Sequence, residues 1–121
     1  MPTGLRLEIF VADLDACVDF YTRVLGFVVI DRRDGYAAMA RDGVRIGAVP
    51  VWGDVDRAAR SLPTGVEIVI EVDDVHAEDE QVRAAGWPIE TDLAEREWGL
   101  TDFRVHDPDG YYLRLTSTGD V

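Results

Sequence analysis

The sequence predicts an α+β fold built from two βαβββ modules. Three observations lead to this prediction: an internal repeat, strands in which apolar and polar residues alternate, and glycine-containing turns at matching places in both halves. The matching segments are VADLD at 11–15 with VDDVH at 72–76, Gly26 with Gly86, and Asp42-Gly43 with Asp109-Gly110. A chain of 121 residues is long enough for one domain with a core of its own.

Module one is predicted to span about residues 4–51. Its first strand alternates in polarity and therefore has two distinct faces; the apolar positions are Leu5, Leu7, Ile9 and Val11. Asp13 has the side chain of a helix N-cap, and the helix is expected to run to about Leu25, where Gly26 ends it. The other strands are expected at Phe27 to Ile30, Tyr36 to Ala40 and Val44 to Val51, with turns at Asp34-Gly35 and Asp42-Gly43.

A connector over about 52–64 is predicted to lead into module two, over about 65–117. The first strand of this module again alternates; its apolar positions are Val66, Ile68, Ile70 and Val72. Asp74 is predicted to cap the second helix, and Gly86 to end it. The last three strands are expected at Trp87 to Ile89, Leu100 to Val105 and Tyr111 to Thr116.

The charge balance narrows the choice of partner. The 24 acidic and 12 basic side chains leave a net charge of −12, which repels nucleic acid and anionic membranes and favours neutral or cationic small ligands. A single cysteine, Cys17, excludes an intramolecular disulfide and a multi-thiolate zinc site. No apolar run approaches the ~18 residues of a membrane span, so we expect a soluble, cytoplasmic protein.

Two segments resemble a known family. FVADLDACVDFYTRVLGF at 10–27 and HDPDGYYLRL at 106–115 are similar to the vicinal oxygen chelate superfamily, which holds glyoxalase I, extradiol dioxygenases and bleomycin-resistance proteins. The resemblance implies a curved mixed sheet with helices on its convex face and a ligand cavity on its concave face. It also implies a homodimer that completes the cavity, with or without exchange of arms between the subunits.

In the superfamily's enzymes the cavity holds a divalent metal. The resemblance maps the ligand positions onto Arg6, Gly47, Glu67 and Arg114. Two guanidinium groups and a glycine do not supply the converging oxygen or imidazole ligands that such an ion needs. The two histidines are expected in other places, His76 near the start of the second helix and His106 beside a turn. The sequence therefore predicts no metal and no other cofactor.

The cavity is instead predicted to hold a flat ligand. If Arg6 faces inward, period two also places Phe10 there, and Tyr112 accompanies Arg114. An aromatic residue after the first hairpin turn and a Trp-Gly pair before the penultimate strand resemble drug-binding members of the superfamily. The predicted ligand-binding residues are Trp98, Tyr36, Phe10, Tyr112, Arg114, Arg6, Glu67, Trp52, Phe103 and Met39.

These residues also have purely structural interpretations. Arg6 or Arg114 is expected to pair with Glu67, since a charge inside a cavity is normally paired. Met39 fits core filling, and Trp98 fits a dimer interface or a core.

Three functions are consistent with the sequence. The first is metal-independent sequestration of an aromatic or polycyclic antibiotic, with bleomycin, mitomycins and enediynes as candidates and no catalytic residue. The second is a metal-free lyase, isomerase or cyclase acting on a small carbonyl compound, in which Glu67 or Glu8 is the base and Arg6 or Arg114 stabilises an oxyanion. The third is an effector-sensing or interaction module without chemistry.

Overall fold

A computed structural model describes residues 3–50 and 65–118 of the chain. The chain divides into two compact units, Met1–Ser61 and Leu62–Val121. Each unit contains one four-stranded mixed sheet and helical structure on one face of that sheet. The α+β class is therefore confirmed, whereas the predicted connector and Trp52 lie outside the described residues.

The first unit follows the predicted β-α-β-β-β order. Its elements are β1 (Arg6–Val11), α1 (Leu14–Asp19) with a π-helical turn after it (Phe20–Val24), β2 (Val28–Arg33), β3 (Tyr36–Arg41) and β4 (Val44–Pro50). The strand order in the sheet is β1-β4-β3-β2. β1 runs parallel to β4, and the other pairs are antiparallel.

The second unit repeats this topology. Its elements are β5 (Ile68–Val72), α2 (Val75–Ala84), β6 (Thr91–Glu95), β7 (Thr101–His106) and β8 (Tyr112–Ser117). The strand order is β5-β8-β7-β6, with β5 parallel to β8. Both units therefore join their first and last strands side by side, as expected for two copies of one module.

Each core lies between a sheet and its helix. The first unit's fully buried side chains include Val11, Tyr21, Met39, Ile46 and Ala48, together with Cys17 from α1. In the second unit they include Val82, Phe103, Val105, Leu113 and Leu115. Because alternate strand residues are buried, one face of each sheet is apolar and covered, and the other face carries the polar residues.

Both predicted helix starts are confirmed. The Asp13 Oδ1 atom accepts a hydrogen bond from the backbone N–H of Ala16 at 3.1 Å, and Asp74 Oδ1 accepts one from Ala77 at 3.1 Å. These carboxylates satisfy amides that no helical carbonyl can reach, and their negative charge suits the positive end of the helix dipole. Gly86, after the second helix, has a φ of 76°, a left-handed conformation that glycine adopts without strain.

The predicted strand at Trp87 to Ile89 is wrong. The backbone N–H of Trp87 bonds to the carbonyl of Val82 at 3.2 Å and so completes the end of α2. Pro88 has no N–H to donate to a neighbouring strand. The strand begins only at Thr91.

No helix within the described parts of the chain has the length and the apolar character needed to cross a membrane.

The cap of α2 gives a first prediction. Asp74→Ala removes the acceptor for the Ala77 amide, and we expect it to lower the free energy of unfolding by about 1 kcal/mol in urea titrations. Asp73→Ala removes the same charge from the neighbouring exposed residue and should change stability by less than about 0.5 kcal/mol. Equal losses in the two variants would show that charge, rather than the cap, is responsible.

Candidate functional site

The open face of the first sheet carries charged and aromatic side chains. Along β1, Ile9 and Val11 are buried, so Arg6, Glu8 and Phe10 point to the opposite face. Phe10 retains 41% of its surface in solvent, although it is a large apolar side chain. Arg6, Glu8 and Phe10 therefore share the face of β1 that points away from the core, as the alternation along the strand predicts.

Glu8 is the centre of this group. Arg6 Nε lies 2.9 Å from Glu8 Oε1, and the Tyr36 hydroxyl donates to the same oxygen at 3.2 Å. Partial burial, followed by the charge of Glu8 and its hydrogen bond, raises the pKa of Tyr36. The hydroxyl therefore keeps its proton and remains a donor, and Arg6 partners Glu8.

Gly47 makes this arrangement sterically possible. The register of β1 with β4 places Glu8 opposite Gly47. A Cβ atom at Gly47 would collide with the Glu8 carboxylate and would lie 2.6 Å from the Tyr36 hydroxyl oxygen. Two polar side chains thus occupy the volume that a side chain at position 47 would fill.

The open face of the second sheet carries a pair of arginines. Arg104 on β7 lies directly opposite Arg114 on β8, which by itself is a repulsive cross-strand pair. Glu67 compensates for this repulsion. Its Oε2 atom accepts a hydrogen bond from Arg104 Nε at 3.1 Å. Its Oε1 atom lies 3.0 Å from Arg114 Nε, a contact that is an ion pair but lacks the geometry of a hydrogen bond. The expected ion pair of Glu67 thus forms with Arg114, within one sheet.

Asp102 is the second counter-charge of this arginine pair. Its side chain is fully buried, and one Nη atom of each arginine lies 3.9 Å from a carboxylate oxygen. Burial by itself lowers the pKa of Arg104, but the hydrogen bond that Arg104 donates to Glu67 and the charge of Asp102 outweigh burial and raise it. The Arg104 guanidinium group therefore stays charged although it is partly buried.

Arg96 connects Asp102 to the loop that carries Trp98. Arg96 Nε donates to Asp102 Oδ1 at 2.8 Å, and the Arg96 backbone closes the loop through its N–H to Leu100 and its carbonyl to Gly99. Trp98, in the middle of this loop, exposes 53% of its surface. The buried carboxylate thereby fixes the loop and leaves the indole in solvent.

Tyr112 faces the same side as Arg114 at the start of β8. Its hydroxyl donates to Glu90 Oε2 at 3.0 Å, and its ring lies 5.1 Å from that of His106. Partial burial, followed by the hydrogen bond to Glu90, raises the pKa of Tyr112. This aromatic residue is therefore held in place by its polar end.

Two predicted ligand-binding residues lie elsewhere. Met39 and Phe103 have no exposed surface and belong to the apolar faces of their sheets, where they pack in the core. For Met39 this agrees with the other role that the sequence allowed, namely filling the core. For Phe103 the reason is register, since Phe103 pairs with the buried Leu115 and its neighbours Asp102 and Arg104 occupy the open face.

Sequence reasoning missed Arg104, Asp102 and Arg96. The position of Arg104 could have been predicted from the turn at Asp109-Gly110. When β7 folds back on β8 around this turn, Arg104 comes to lie opposite Arg114. The ion pairs of Arg96 and Asp102 depend on side-chain geometry, which no sequence pattern specifies.

The four positions onto which the resemblance maps the superfamily's metal ligands carry side chains that do not fit a divalent cation. Arg6 is a cation paired to Glu8, and the space at Gly47 is filled by Glu8 and Tyr36. In the second unit, Glu67 is bound by two guanidinium groups, one of them Arg114 itself. Among the residues that the structure describes, no group of three or more His, Cys, Asp or Glu side chains is placed to hold a metal ion.

Comparison with known proteins identifies the family. The sequence profile of the Glyoxalase/Bleomycin resistance protein/Dioxygenase superfamily matches residues 5–115. The chain belongs to this superfamily. A lactoylglutathione lyase of Haemophilus influenzae is 32% identical to it over 92% of this chain and 89% of that protein.

Solved structures of other proteins share the fold of this chain. TioX from Micromonospora sp. ML1 superposes with a TM-score of 0.81 at 23% identity, covering 96% of this chain and 98% of TioX. The bleomycin resistance determinant encoded on transposon Tn5 superposes with a TM-score of 0.76 at 22% identity, covering 97% and 98%. At these identities the likeness establishes the fold alone.

The packing around Gly47 gives a second prediction. Gly47→Ala should displace Glu8 from Tyr36, because the added methyl group occupies the volume of the carboxylate, and it should reduce stability by about 1–3 kcal/mol. The pKa of Tyr36 should then fall toward that of an ordinary tyrosine, as measured by NMR titration of ¹³C-labelled tyrosine with Tyr36→Phe as the assignment standard.

Gly43→Ala is the matched control. A Cβ atom at Gly43 meets nothing within 4 Å, and its backbone needs no left-handed conformation. An unchanged Tyr36 titration in Gly47→Ala would contradict the steric role of Gly47.

Proposed function

We propose that this protein binds and sequesters a small aromatic natural product without changing its bonds. The observation that carries the proposal is the chemistry at the superfamily's metal-ligand positions. A glycine, two ion-paired arginines and a carboxylate bound by guanidinium groups occupy them, so the open faces are suited to a neutral or electron-rich organic ligand.

Exposed aromatic surface supports an aromatic ligand. Trp98 on its fixed loop and Phe10 on the open face of the first sheet expose 53% and 41% of their surfaces. Tyr36 on β3 and Tyr112 on β8 add one ring to the open face of each sheet, each held by a carboxylate. Stacking on such a ring contributes about 0.5–1.5 kcal/mol beyond the burial of apolar area.

The arginine pair of the second unit supports recognition of an oxygen-rich group. Three guanidinium groups are paired here with two carboxylates, so donor groups are concentrated at one place in a chain of net charge −12; the residues are Arg96, Arg104, Arg114, Glu67 and Asp102. A carbonyl or quinone oxygen is the neutral acceptor that suits such donors. The overall negative charge favours capture of a ligand that also carries a basic group, and salt weakens this attraction.

The comparisons are consistent with a resistance role. One protein of the same fold is described as a bleomycin resistance determinant. A binding protein confers resistance by lowering the free concentration of the drug, which requires affinity and no turnover. The candidate ligands are bleomycin, mitomycins and enediynes.

A second candidate is a metal-free lyase, isomerase or cyclase. The identity to a lactoylglutathione lyase favours it, as does Glu8, whose carboxylate is 36% exposed and hydrogen-bonded to the Tyr36 hydroxyl. In that case Glu8 would take a proton next to a carbonyl and Arg6 would stabilise the resulting oxyanion.

Mass spectrometry separates the two candidates. The protein is incubated with bleomycin or mitomycin C, and the ligand is recovered and compared with a sample kept without protein. Sequestration predicts a complex in the native spectrum and recovery of unchanged ligand. A product that forms in proportion to time, and that Glu8→Gln abolishes, would support the enzyme and sink sequestration.

Binding should depend on Trp98. Trp98→Ala is expected to weaken binding of the captured ligand by about 2 kcal/mol, the range of an aromatic hot spot, in isothermal titration calorimetry. The thermal midpoint of the empty protein should stay nearly unchanged because the indole is half exposed. Val66→Ala, which truncates another exposed apolar side chain of the same unit, serves as the control. A large loss of stability in Trp98→Ala would instead assign the indole to packing.

We also propose that the protein is a homodimer. Strand β2 is the outer strand of the first sheet, and three consecutive apolar residues on it are exposed: Val28 by 60%, Val29 by 41% and Ile30 by 58%. An apolar edge strand of this kind is normally covered in solution.

Sedimentation velocity tests the dimer. Ile30→Lys should weaken association at least about tenfold, because it places a charge against an apolar partner. Ala84→Lys adds the same charge at an exposed position of α2, and this variant should sediment like the wild type. A wild-type protein that is monomeric at micromolar concentration would refute the dimer.

A further inference from the structure

We propose that the second unit has a separate binding site for a small organic cation, namely an ammonium group attached to an apolar or aromatic body. The site is a cleft of about 440 Å³, here called the Trp87 cleft. It is lined by Trp87, Pro88, Glu90, His106, Asp107 and Pro108. It shares no lining residue with the proposed drug-binding set, and its existence does not depend on the proposed function.

The walls of the cleft are rigid and apolar. The Trp87 indole N–H donates to the backbone carbonyl of His106 at 2.8 Å, which fixes the plane of the ring against the end of β7. Pro88 and Pro108 are both exposed and contribute pyrrolidine rings with few conformations. An indole and two prolines that are ordered before binding lose little entropy when a flat or alkylated group enters.

One wall carries a carboxylate that stays ionised. Glu90 is joined to β7 by its backbone N–H, which donates to the carbonyl of Arg104 at 2.8 Å. Its side chain accepts from the hydroxyls of Thr91 and Tyr112. These two hydrogen bonds, the one from Thr91 contributing most, lower the pKa of Glu90. Its negative charge is therefore present throughout the neutral range.

Among the other groups around the cleft, the carboxylate of Asp107 favours a cation, whereas His106 and Arg104 act on Glu90 as positive groups. No Lys or Arg lines it. Arg104 acts on Glu90 from β7, but its guanidinium group is bound to Glu67 at 3.1 Å. Helix α2 ends at Ala84, three residues before Trp87, and the carbonyl end of a helix carries partial negative charge.

The chemistry of the cleft thus combines two known ways of holding an ammonium group. A carboxylate supplies the counter-charge, and the face of an indole supplies a cation–π contact. An anionic ligand would meet Glu90 and Asp107, and a purely apolar ligand would leave Glu90 without any compensation for lost water.

The test uses benzyltrimethylammonium as the cationic probe and phenylacetate as the anionic probe with the same ring. Both are titrated into the ¹⁵N-labelled protein while the indole N–H signals are followed, with Trp87→Phe to assign the Trp87 signal. We expect benzyltrimethylammonium to shift this signal saturably with a Kd of about 1 mM or lower, as one ion pair and one cation–π contact allow. Phenylacetate should give no saturable shift.

Two charge-matched variants locate the site. Glu90→Gln should weaken binding of the cation at least about fivefold, since it removes the carboxylate but keeps an acceptor for Tyr112. Glu80→Gln removes an exposed carboxylate from α2 and should change the affinity less than about twofold. Thermal midpoints of both variants show whether either has lost its fold.

Three outcomes would overturn the proposal. They are a Trp87 signal that does not respond to the cation, equal responses to the two probes, and equal weakening by Glu90→Gln and Glu80→Gln. The last result would mean that only the overall charge attracts the probe. None of these outcomes bears on sequestration, which is read from the complex with bleomycin or mitomycin C and from Trp98→Ala.

Discussion

Each sheet of this protein has one face covered by helix and one face left open, and the properties of the open faces follow from this division. Alternate side chains of a strand must point to opposite faces, so every apolar residue packed in a core leaves a neighbour on the open side. In both units these neighbours include charged and aromatic side chains. Charges on a partly buried surface need partners, which come from the same strand in the first unit, where Arg6 pairs with Glu8 on β1. In the second unit they come from different strands, since Glu67 pairs with Arg104 on β7 and Arg114 on β8.

This internal pairing engages the charged groups at the positions onto which the resemblance maps the metal ligands. A carboxylate bound by two guanidinium groups is not available to a cation, and a guanidinium group in place of a ligand repels one. The glycine at position 47 adds a steric element, since it admits Glu8 and Tyr36 to the volume that a side chain would occupy. A shared fold therefore leaves the chemistry of the site open, which is the usual relation between a widespread fold and its functions.

The tyrosines and Trp98 are held in place in different ways. Tyr36 and Tyr112 are fixed through their hydroxyls by Glu8 and Glu90. Trp98 is fixed through its backbone, because Arg96 ties the loop to the buried Asp102. The proposed ligand would therefore meet aromatic groups that are already in position, and binding would require less ordering of side chains.

The sequence by itself determined the two βαβββ modules, both aspartate caps and the face of β1 on which Arg6, Glu8 and Phe10 lie. These features depend on local rules: strand period, capping chemistry and the freedom of glycine in turns. The extent of β6 was missed, because Trp87 finishes the helix and Pro88 cannot enter a ladder. Phe103 and the Arg96–Asp102 pair were missed because register and side-chain reach are set by residues distant in sequence. Only the tertiary structure decided which charges neutralise one another, since an ion pair requires two side chains to meet. The pairing of β8 with β7 on one side and with β5 on the other brings Arg104, Arg114 and Glu67 together.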